Sequence, residues 1–558
     1  MSVDLIETLG DEPLVEYAEQ VFVAMRDGTR LATDIYLPAK PKRHPAVLVR
    51  TPYDKTSRYT ALKYHAKYYT ERGYVFVTQD VRGKHRSSGD TVPYHFDVED
   101  AYDTIDWIAA QPWSDQTVGL TGASYYGFTT WAGVASGHPA VRAAIPTVTG
   151  VEMGANHVGS MWTQTPPSLL GLNDLIQIWT TNNSFLLNID YAAAPVTELL
   201  KQAEALVGHS LPVTDLIERA RTGEYYNPYG GQHPYYTTNV PILHWVNWYD
   251  PGLAPSGMAD WRHFRSLPGH RDLHFLRAGS ADHSGFALAD VGDFERHPYL
   301  NEAAMHALND IECNEAIDFF DEHVRGIRPE RRRPRARWHL GHDGWRSSDE
   351  WQPATSRDQV LYLSPGADQR GALATARDAQ SQQVTWTHDP GNPVPSTCTI
   401  EEAWYLLAVY PDERHLAERP DVLTFTSAPL AEPLDIAGRP VLQAEITSTG
   451  SSFHLFAILH DVEPDGTTRP ISRANLTTRS TGEDPVLLPL DDIAYRFRTG
   501  HRIQLQLRSS DFPHFLVHPG TDDNPWFATT RATTQQSIRT GGTRAAGLTL
   551  PVLNGFHF

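Results

Sequence analysis

Residues 118–127 read Val118-Gly119-Leu120-Thr121-Gly122-Ala123-Ser124-Tyr125-Tyr126-Gly127. An apolar run ends in a small residue, and a serine follows with glycines close on either side. This is the form of a nucleophile elbow: a strand enters a sharp turn, the serine sits at its tip and a helix follows. Backbone approaches backbone in such a turn, and only a residue without Cβ tolerates that. The helix start also brings N–H groups beside the serine, where an oxyanion would develop. The generic G-x-S-x-G pattern places glycine at 126; here Tyr126 stands there and glycine follows at Gly127. Gly-x-Ser followed by glycine also occurs in ordinary strand-to-helix turns, so the rest of the chain has to decide.

The flanking sequence alternates strand and helix signals. Val21 to Leu37 predicts a hairpin around a two-residue Asp27-Gly28 turn. Ala46–Val49 and Tyr74–Val77 are short continuous apolar runs, the form of strands buried on both faces of a parallel sheet. Apolar residues at 98, 101, 105 and 108 have helical spacing, with Pro112 just beyond. Val141–Ile145, Val240–His244 and Leu273–Leu276 predict further strands, and a helix is expected from about Ala303 to Val324. This rhythm predicts a doubly wound α/β sheet.

Two stretches break it. Residues 151–238, rich in Leu, Asn, Trp and Tyr with a helical segment at Val196–Leu206, predict a helical cap over the active edge of the sheet. Beyond the Arg/Pro-rich stretch 326–336, helical periodicity is scarce. Alternating segments at Val441–Ile446, Phe453–Leu459 and Arg502–Leu507 and the turn Pro464-Asp465-Gly466 predict a β-sandwich, most simply a jelly roll. The expected domains are a catalytic α/β unit from 1–150 and 239–335, a cap at 151–238 and an all-β domain at 336–558.

Composition narrows the function. A chain of 558 residues, 40% hydrophobic and 20% charged, is globular and long enough for about three or four domains. Its formal net charge of −20 argues against nucleic acid and anionic membranes as partners. The short run Arg331-Arg332-Arg333 reads as a solvated linker. Cys313 and Cys398 are the two cysteines, which make neither a disulfide framework nor a zinc cluster. With no signal-peptide pattern at the N-terminus and no apolar run near 18 residues, a cytoplasmic protein is expected. No cofactor or metal is expected, since HExxH, CxxC and a glycine-rich phosphate loop are all missing.

A serine is no nucleophile at neutral pH without a base and an acid to orient that base. In α/β-hydrolases the chain order is Ser, then Asp or Glu, then His, each past a strand end. Asp250 follows the strand expected at 240–244, in Trp248-Tyr249-Asp250-Pro251-Gly252. His283 follows the next expected strand, in Ala281-Asp282-His283-Ser284-Gly285. Asp before Pro-Gly is by itself a routine turn residue, and His283 is one of 26 histidines. Their joint placement, in order and each at a strand end, makes Ser124, Asp250 and His283 the candidate triad.

The chain also resembles a known family. Met25-Arg26-Asp27-Gly28-Thr29-Arg30-Leu31, Arg50-Thr51-Pro52-Tyr53-Asp54-Lys55, Gln79-Asp80-Val81-Arg82-Gly83, Gly122-Ala123-Ser124-Tyr125, Trp248-Tyr249-Asp250, Phe319-Phe320-Asp321, Gly500-His501-Arg502-Ile503 and Ser509-Ser510-Asp511-Phe512-Pro513 occur in order from residue 25 to 513. Together they resemble the cocaine esterase / X-prolyl dipeptidyl peptidase (CocE/NonD-type) serine hydrolases, a group that includes α-amino acid ester hydrolases and some cephalosporin acylases. The Gly-x-Ser-Tyr-x-Gly elbow is that family's own. The resemblance implies an α/β-hydrolase core, a helical cap and a C-terminal jelly roll. It also implies the triad above and an oxyanion hole built from the Tyr125 N–H and the Tyr53 hydroxyl. Two places depart from the pattern: Ala281-Asp282 stands where relatives often have Trp-Ser, and Pro251-Gly252 follows the acid.

The expected activity is hydrolysis of a small-molecule carboxylic ester through an acyl-enzyme. One alternative is a peptidase or amide acylase with the same triad, using Asp174, Asp190 or Asp215 of the cap to hold a substrate amine. Another, of a different class, is a glycan- or partner-binding protein with a degenerate hydrolase domain. Trp162 and Trp179, with Trp248 beside the acid, are candidate walls of a pocket for an aromatic or bulky apolar acyl group; Tyr225, Tyr226 and Tyr229 belong to the same aromatic set. The same residues can equally serve packing. The oligomeric state is open, a homo-oligomer included.

Overall fold

The structure, a computed structural model, describes residues 18–92, 94–153, 166–173, 189–190, 195–207, 227–367, 370–479 and 484–553. A ten-stranded sheet organises the first part. In chain order its strands are β1 (Ala18–Ala24), β2 (Arg30–Tyr36), β3 (His44–Thr51), β4 (Val75–Asp80), β5 (Ser114–Ala123), β6 (Val141–Thr147), β7 (Ile242–Asn247), β8 (His274–Gly279), β9 (Ala336–Leu340) and β10 (Gly344–Ser348). They lie side by side as β1-β2-β4-β3-β5-β6-β7-β8-β9-β10. From β4 to β9 the pairing is parallel, and β1, β2 and β10 join antiparallel at the edges.

The central strands are buried throughout because helices cover both faces. All eight residues of β3 and all six of β4, β7 and β8 are buried. On one face lie α2 (Asp97–Ala110), α3 (Ser124–Ala135) and α5 (Leu253–Ser266), which pack Ile105, Ile108, Phe128, Trp131 and Phe264 onto the sheet. On the other lie α1 (Leu62–Glu71) and α6 (Glu302–His323), through Leu62, Tyr69, Ile317, Phe319 and Phe320. The predicted helical stripe is real, with Val98, Ala101, Ile105 and Ile108 all buried. Acidic Asp97, Glu99 and Asp100 occupy the first turn of α2, where the helix dipole favours negative charge. Asn301 caps α6, its Oδ1 accepting the Ala304 N–H at 3.0 Å.

Two expectations need correction. The β1–β2 hairpin does not turn on two residues: Ala24 pairs with Arg30, and residues 25–29 form the loop, with Gly28 at φ +86°. The first sheet also runs past residue 335. Leu276, Arg277 and Ala278 of β8 pair with Ala336, Arg337 and Trp338, so β9 and β10 complete the ten-stranded sheet. Of the region expected as a cap, the described part includes the helix α4 (Val196–Val207), at the predicted place.

The C-terminal part is all-β apart from short helical turns. The strands Ser452–Val462 and Thr468–Arg479 pair around the predicted Pro464-Asp465-Gly466 turn, with Gly466 at φ +89°. Arg502–Arg508 lies between Ser452–Val462 and Leu423–Thr426, and Ile503, Leu505 and Leu507 are fully buried on one face. The polar face is buried too: Gln506 and Arg508 are almost wholly enclosed, and Arg508 meets Asp511 at 3.1 Å. The two parts share one apolar core, in which Trp248, Trp261, Phe286 and Trp338 join Leu434, Ile436 and Tyr495.

Candidate active site

Four strand ends bring the candidate residues to one edge of the sheet. Ser124 stands where β5 passes into α3, at φ +56°, a left-handed conformation that L-residues with side chains adopt at a cost. The glycines around it are forced. A Cβ on Gly122 would stand 2.2 Å from the Tyr126 carbonyl oxygen, and one on Gly127 would stand 2.6 Å from Thr149 Cγ2. Residue 126 meets no such constraint, which is why a tyrosine fits where the generic pattern has glycine.

Asp250 lies in the turn between β7 and α5, and Gly252, at φ +79°, completes that turn. His283 lies in the loop after β8, closed by the Asp282 N–H to the Phe286 carbonyl and by the Gly285 N–H to Asp282 O, both 3.1 Å. The two loops are laced together: Trp248 N–H donates to Gly279 O at 2.8 Å and Tyr249 N–H to Ala281 O at 3.0 Å. Asn247 Nδ2 donates to Asp282 O at 2.9 Å. The result is a 2.9 Å hydrogen bond from His283 Nδ1 to Asp250 Oδ2. Burial raises the Asp250 carboxyl above its ordinary value, and the neighbouring imidazole opposes that shift. With Nδ1–H given to Asp250, the lone pair of a neutral imidazole sits on Nε2.

Tyr53 follows β3, the strand next to β5, and is 8% exposed. Its ring meets Tyr126, two residues past Ser124, edge-on at 5.9 Å between centroids. The Tyr53 loop is anchored from below by Lys55. That side chain is fully buried, with Nζ 3.4 Å from both Asp34 Oδ1 and Asp80 Oδ2, while its N–H donates to Asp80 Oδ1 at 2.9 Å. Tyr125 contributes its backbone N–H to the first turn of α3, whose N–H groups have no acceptor within the helix. Its side chain points away into the core, the hydroxyl donating to Asp97 Oδ2 at 3.0 Å and accepting the Tyr94 N–H at 3.1 Å. Burial pushes Asp97 up to about 6, against the nearby Arg50.

The pocket residues fare differently. Trp248, expected as a pocket wall, stacks on Trp351 at 4.9 Å, donates its Nε1–H to His339 O and is 4% exposed. It belongs to the core between the two parts, because the chain turns inward after β7. Trp162 and Trp179 lie outside the described residues, as do Asp174, Asp215, Tyr225 and Tyr226. Asp190 is exposed at the surface, and Tyr229 is a core residue whose hydroxyl donates to Val151 O at 2.7 Å. A cavity of about 50 Å³ lies below the elbow, bounded by Gly122, Ala123, Tyr126, His65 and Glu312. Its size suits a water molecule or two.

Several contributors were not singled out as site residues from sequence: Asn247, Lys55 with Asp34 and Asp80, and Trp404, whose ring lies 4.8 Å from that of His283. Lys55 and Asp80 stand inside motifs of the family resemblance, but nothing in their spacing shows that they meet.

Known proteins resemble this chain along most of its length. The profile of the X-Pro dipeptidyl-peptidase (S15 family) matches residues 27–285, and that of the X-Pro dipeptidyl-peptidase C-terminal non-catalytic domain matches residues 331–549. The chain belongs to the cocaine esterase / X-Pro dipeptidyl-peptidase family of serine hydrolases. It is 28% identical over 546 residues to the cocaine esterase of Rhodococcus sp. (strain MB1 Bresler), covering 89% of this chain and 91% of that protein. Among solved structures, an α-amino acid ester hydrolase superposes with a TM-score of 0.80 at 23% identity, covering 98% of each chain. An aminopeptidase from the marine sediment archaeon Thaumarchaeota archaeon gives 0.79 at 22%, covering 99% of each. The family fold is thus an α/β-hydrolase core with a C-terminal all-β domain, and the protein is an enzyme.

Proposed function

We propose that this family member hydrolyses a small-molecule carboxylic ester by two-step acyl transfer at Ser124. His283 Nε2 takes the Ser124 proton as Oγ attacks the ester carbonyl. The Tyr125 N–H and the Tyr53 hydroxyl donate to the oxyanion, and His283 returns the proton to the departing alcohol. A water molecule, deprotonated by the same imidazole, then attacks the acyl-enzyme; the carboxylic acid leaves and Oγ regains its proton. Asp250 holds the imidazole tautomer and favours its charged form. The observation that carries this assignment is the 2.9 Å bond from His283 Nδ1 to buried Asp250, on strand ends of the sheet that bears the strained Ser124.

The similarity to cocaine esterase over most of both chains supports an ester as substrate. The X-Pro dipeptidyl-peptidase profile supports a second assignment, an amide or X-Pro peptide bond cleaved by the same triad. A comparison of kcat/KM on a phenyl ester and on an X-Pro-anilide tests this. The ester assignment expects the first to be higher by at least tenfold, and the reverse order would move the enzyme to the peptidases. We further place the cap at 151–238 and the enzyme in the cytoplasm. The helix Val196–Val207 supports the cap, and the free thiols Cys313 and Cys398 support a reducing compartment.

A further inference from the structure

The residue before His283 joins the histidine loop to the C-terminal half. Asp282 is fully buried. Its Oδ1 accepts the Phe286 N–H at 2.9 Å and so closes the loop on itself. Its Oδ2 accepts the Leu407 N–H at 3.0 Å. Leu407 belongs to the short helix Leu406–Val409, in the stretch matched by the C-terminal domain profile. On the other side of the histidine, Ser284 donates its N–H and its hydroxyl to the Trp404 carbonyl at 3.0 and 3.1 Å. The Trp404 ring itself lies against the imidazole, tilted by 57°. His283 is therefore held from before, from behind and across its ring by one segment, residues 404–407.

A carboxyl group is an expensive way to fill such a place. Burying it costs several kcal/mol before any hydrogen bond is made, and an apolar side chain would fill the space without that cost. Burial pushes Asp282 up to about 8, against the pull of its two N–H donors. What a carboxyl does, and an apolar group does not, is accept two N–H groups from two different parts of the chain at once. Nor is it a second orienting acid for the imidazole, since His283 Nδ1 is bonded to Asp250 and both Asp282 oxygens are taken by backbone.

We propose that Asp282 is a positioning residue for His283, clamping its loop to residues 404–407 so that the C-terminal half sets the alignment of the base. The clamp rests on the assignment of Ser124, His283 and Asp250 as the triad. The domain whose profile is described as non-catalytic supplies no reacting atom. It supplies a backbone N–H, a backbone carbonyl and an indole face that together fix the height and tilt of the imidazole. A misplacement of about 1 Å at such a group costs on the order of 10²-fold in rate.

The test is a double-mutant cycle on an activated aryl ester, because residues that act through one another are non-additive. Asp282→Asn keeps the volume but turns an N–H donor toward one of the two backbone N–H groups. With His283 present it is expected to lower kcat by about 10- to 100-fold while changing KM by less than about threefold. In a His283→Ala background the same substitution is expected to change the residual rate by less than about twofold, since there is no imidazole left to misplace. An equal loss in both backgrounds, a loss confined to KM, or no loss would overturn the proposal. Should Asp282→Asn fail to fold, Ser284→Ala carries the cycle: it removes one hydrogen bond to Trp404 and is expected to lower kcat about two- to fivefold, again only where His283 is present. If His283→Ala by itself kept activity within tenfold of wild type, the triad assignment would fail and this inference with it. If His283→Ala collapsed while the clamp variants kept full kcat, the clamp alone would be wrong.

Discussion

His283 Nδ1 stands 2.9 Å from Asp250 Oδ2, and the Asp250 side chain has no exposure to solvent. Its other oxygen, Oδ1, has no hydrogen-bond partner among the described residues. The carboxylate is therefore committed to one imidazole. In the proposed mechanism the imidazole takes the serine proton, and the new positive charge would then form beside a carboxylate that water does not screen. Asp250→Asn presents either an amide donor to Nδ1 or an acceptor of no charge. It is expected to fold normally and to lose about 10⁴ in kcat, the size of loss seen when the tautomer is disturbed. Steady-state kinetics on an aryl ester measure this, and a loss below tenfold would mean that another group orients His283.

Tyr53→Phe removes one oxygen and little volume. Its ring contacts with Tyr59 and Tyr126 remain, so the fold should hold. If the hydroxyl donates to the oxyanion, the loss appears in the transition state and not in substrate binding. A fall of about 10²–10³ in kcat with a nearly constant KM is expected. A constant kcat with a raised KM would make Tyr53 a pocket wall instead.

Lys55 carries the charge below that tyrosine. Burial raises both Asp34 and Asp80, and Lys55 opposes the rise in each. Lys55→Met leaves two buried carboxyls without their cation. Breaking a buried ion pair from one side costs about 3–5 kcal/mol, and the Tyr53 loop should loosen with it. Urea unfolding reports the first effect and kcat the second. An unfolding free energy within about 1 kcal/mol of wild type would show that the carboxyls are neutral and need no partner.

The core carries an acid sensitivity remote from the active edge. His244 and His274, on adjacent strands β7 and β8, share a 2.8 Å hydrogen bond in a buried site. Burial holds His244 down to about 3, and His274 also lies well below its ordinary value. An unfolded histidine titrates near 6.5, so each pair member contributes stability that is present above that pH and is lost as pH falls toward the folded value. Each histidine contributes about 1.4 kcal/mol per pH unit inside its window. Buried carboxyls such as Asp260, pushed up to about 7, act in the opposite sense. Comparing two proteins at the same pH cancels that background. The double variant His244→Phe/His274→Phe should lose less unfolding free energy than wild type between pH 6.5 and pH 5. Equal losses would place the acid sensitivity elsewhere.

Much of the fold was legible because it rests on local pattern. The apolar runs at 46–49 and 74–77 have the form of strands covered on both sides, and Val98, Ala101, Ile105 and Ile108 have the spacing of one helix face. The elbow was legible because Gly122 answers the approach of the Tyr126 carbonyl within the same turn, whereas Gly127 is crowded by Thr149, beyond the next strand. The candidate triad followed from chain order at strand ends. What escaped depends on distant partners. Lys55 reaches Asp34 and Asp80, and Asp282 reaches Leu407 across 125 positions. Arg508 is buried because Asp511 and Glu413 meet it, partners that alternation along one strand does not reveal. Trp248 looked like a pocket wall because it neighbours Asp250, but the turn after β7 sends it against Trp351.

The central claim is that Ser124 is an activated nucleophile. A fluorophosphonate reacts with a serine hydroxyl only where a base removes its proton, so mass spectrometry of the labelled chain tests the claim directly. Stoichiometric addition at Ser124, lost in Ser124→Ala and strongly slowed in His283→Ala, is the predicted result. Labelling of another residue, or ester hydrolysis undiminished in Ser124→Ala, would contradict it.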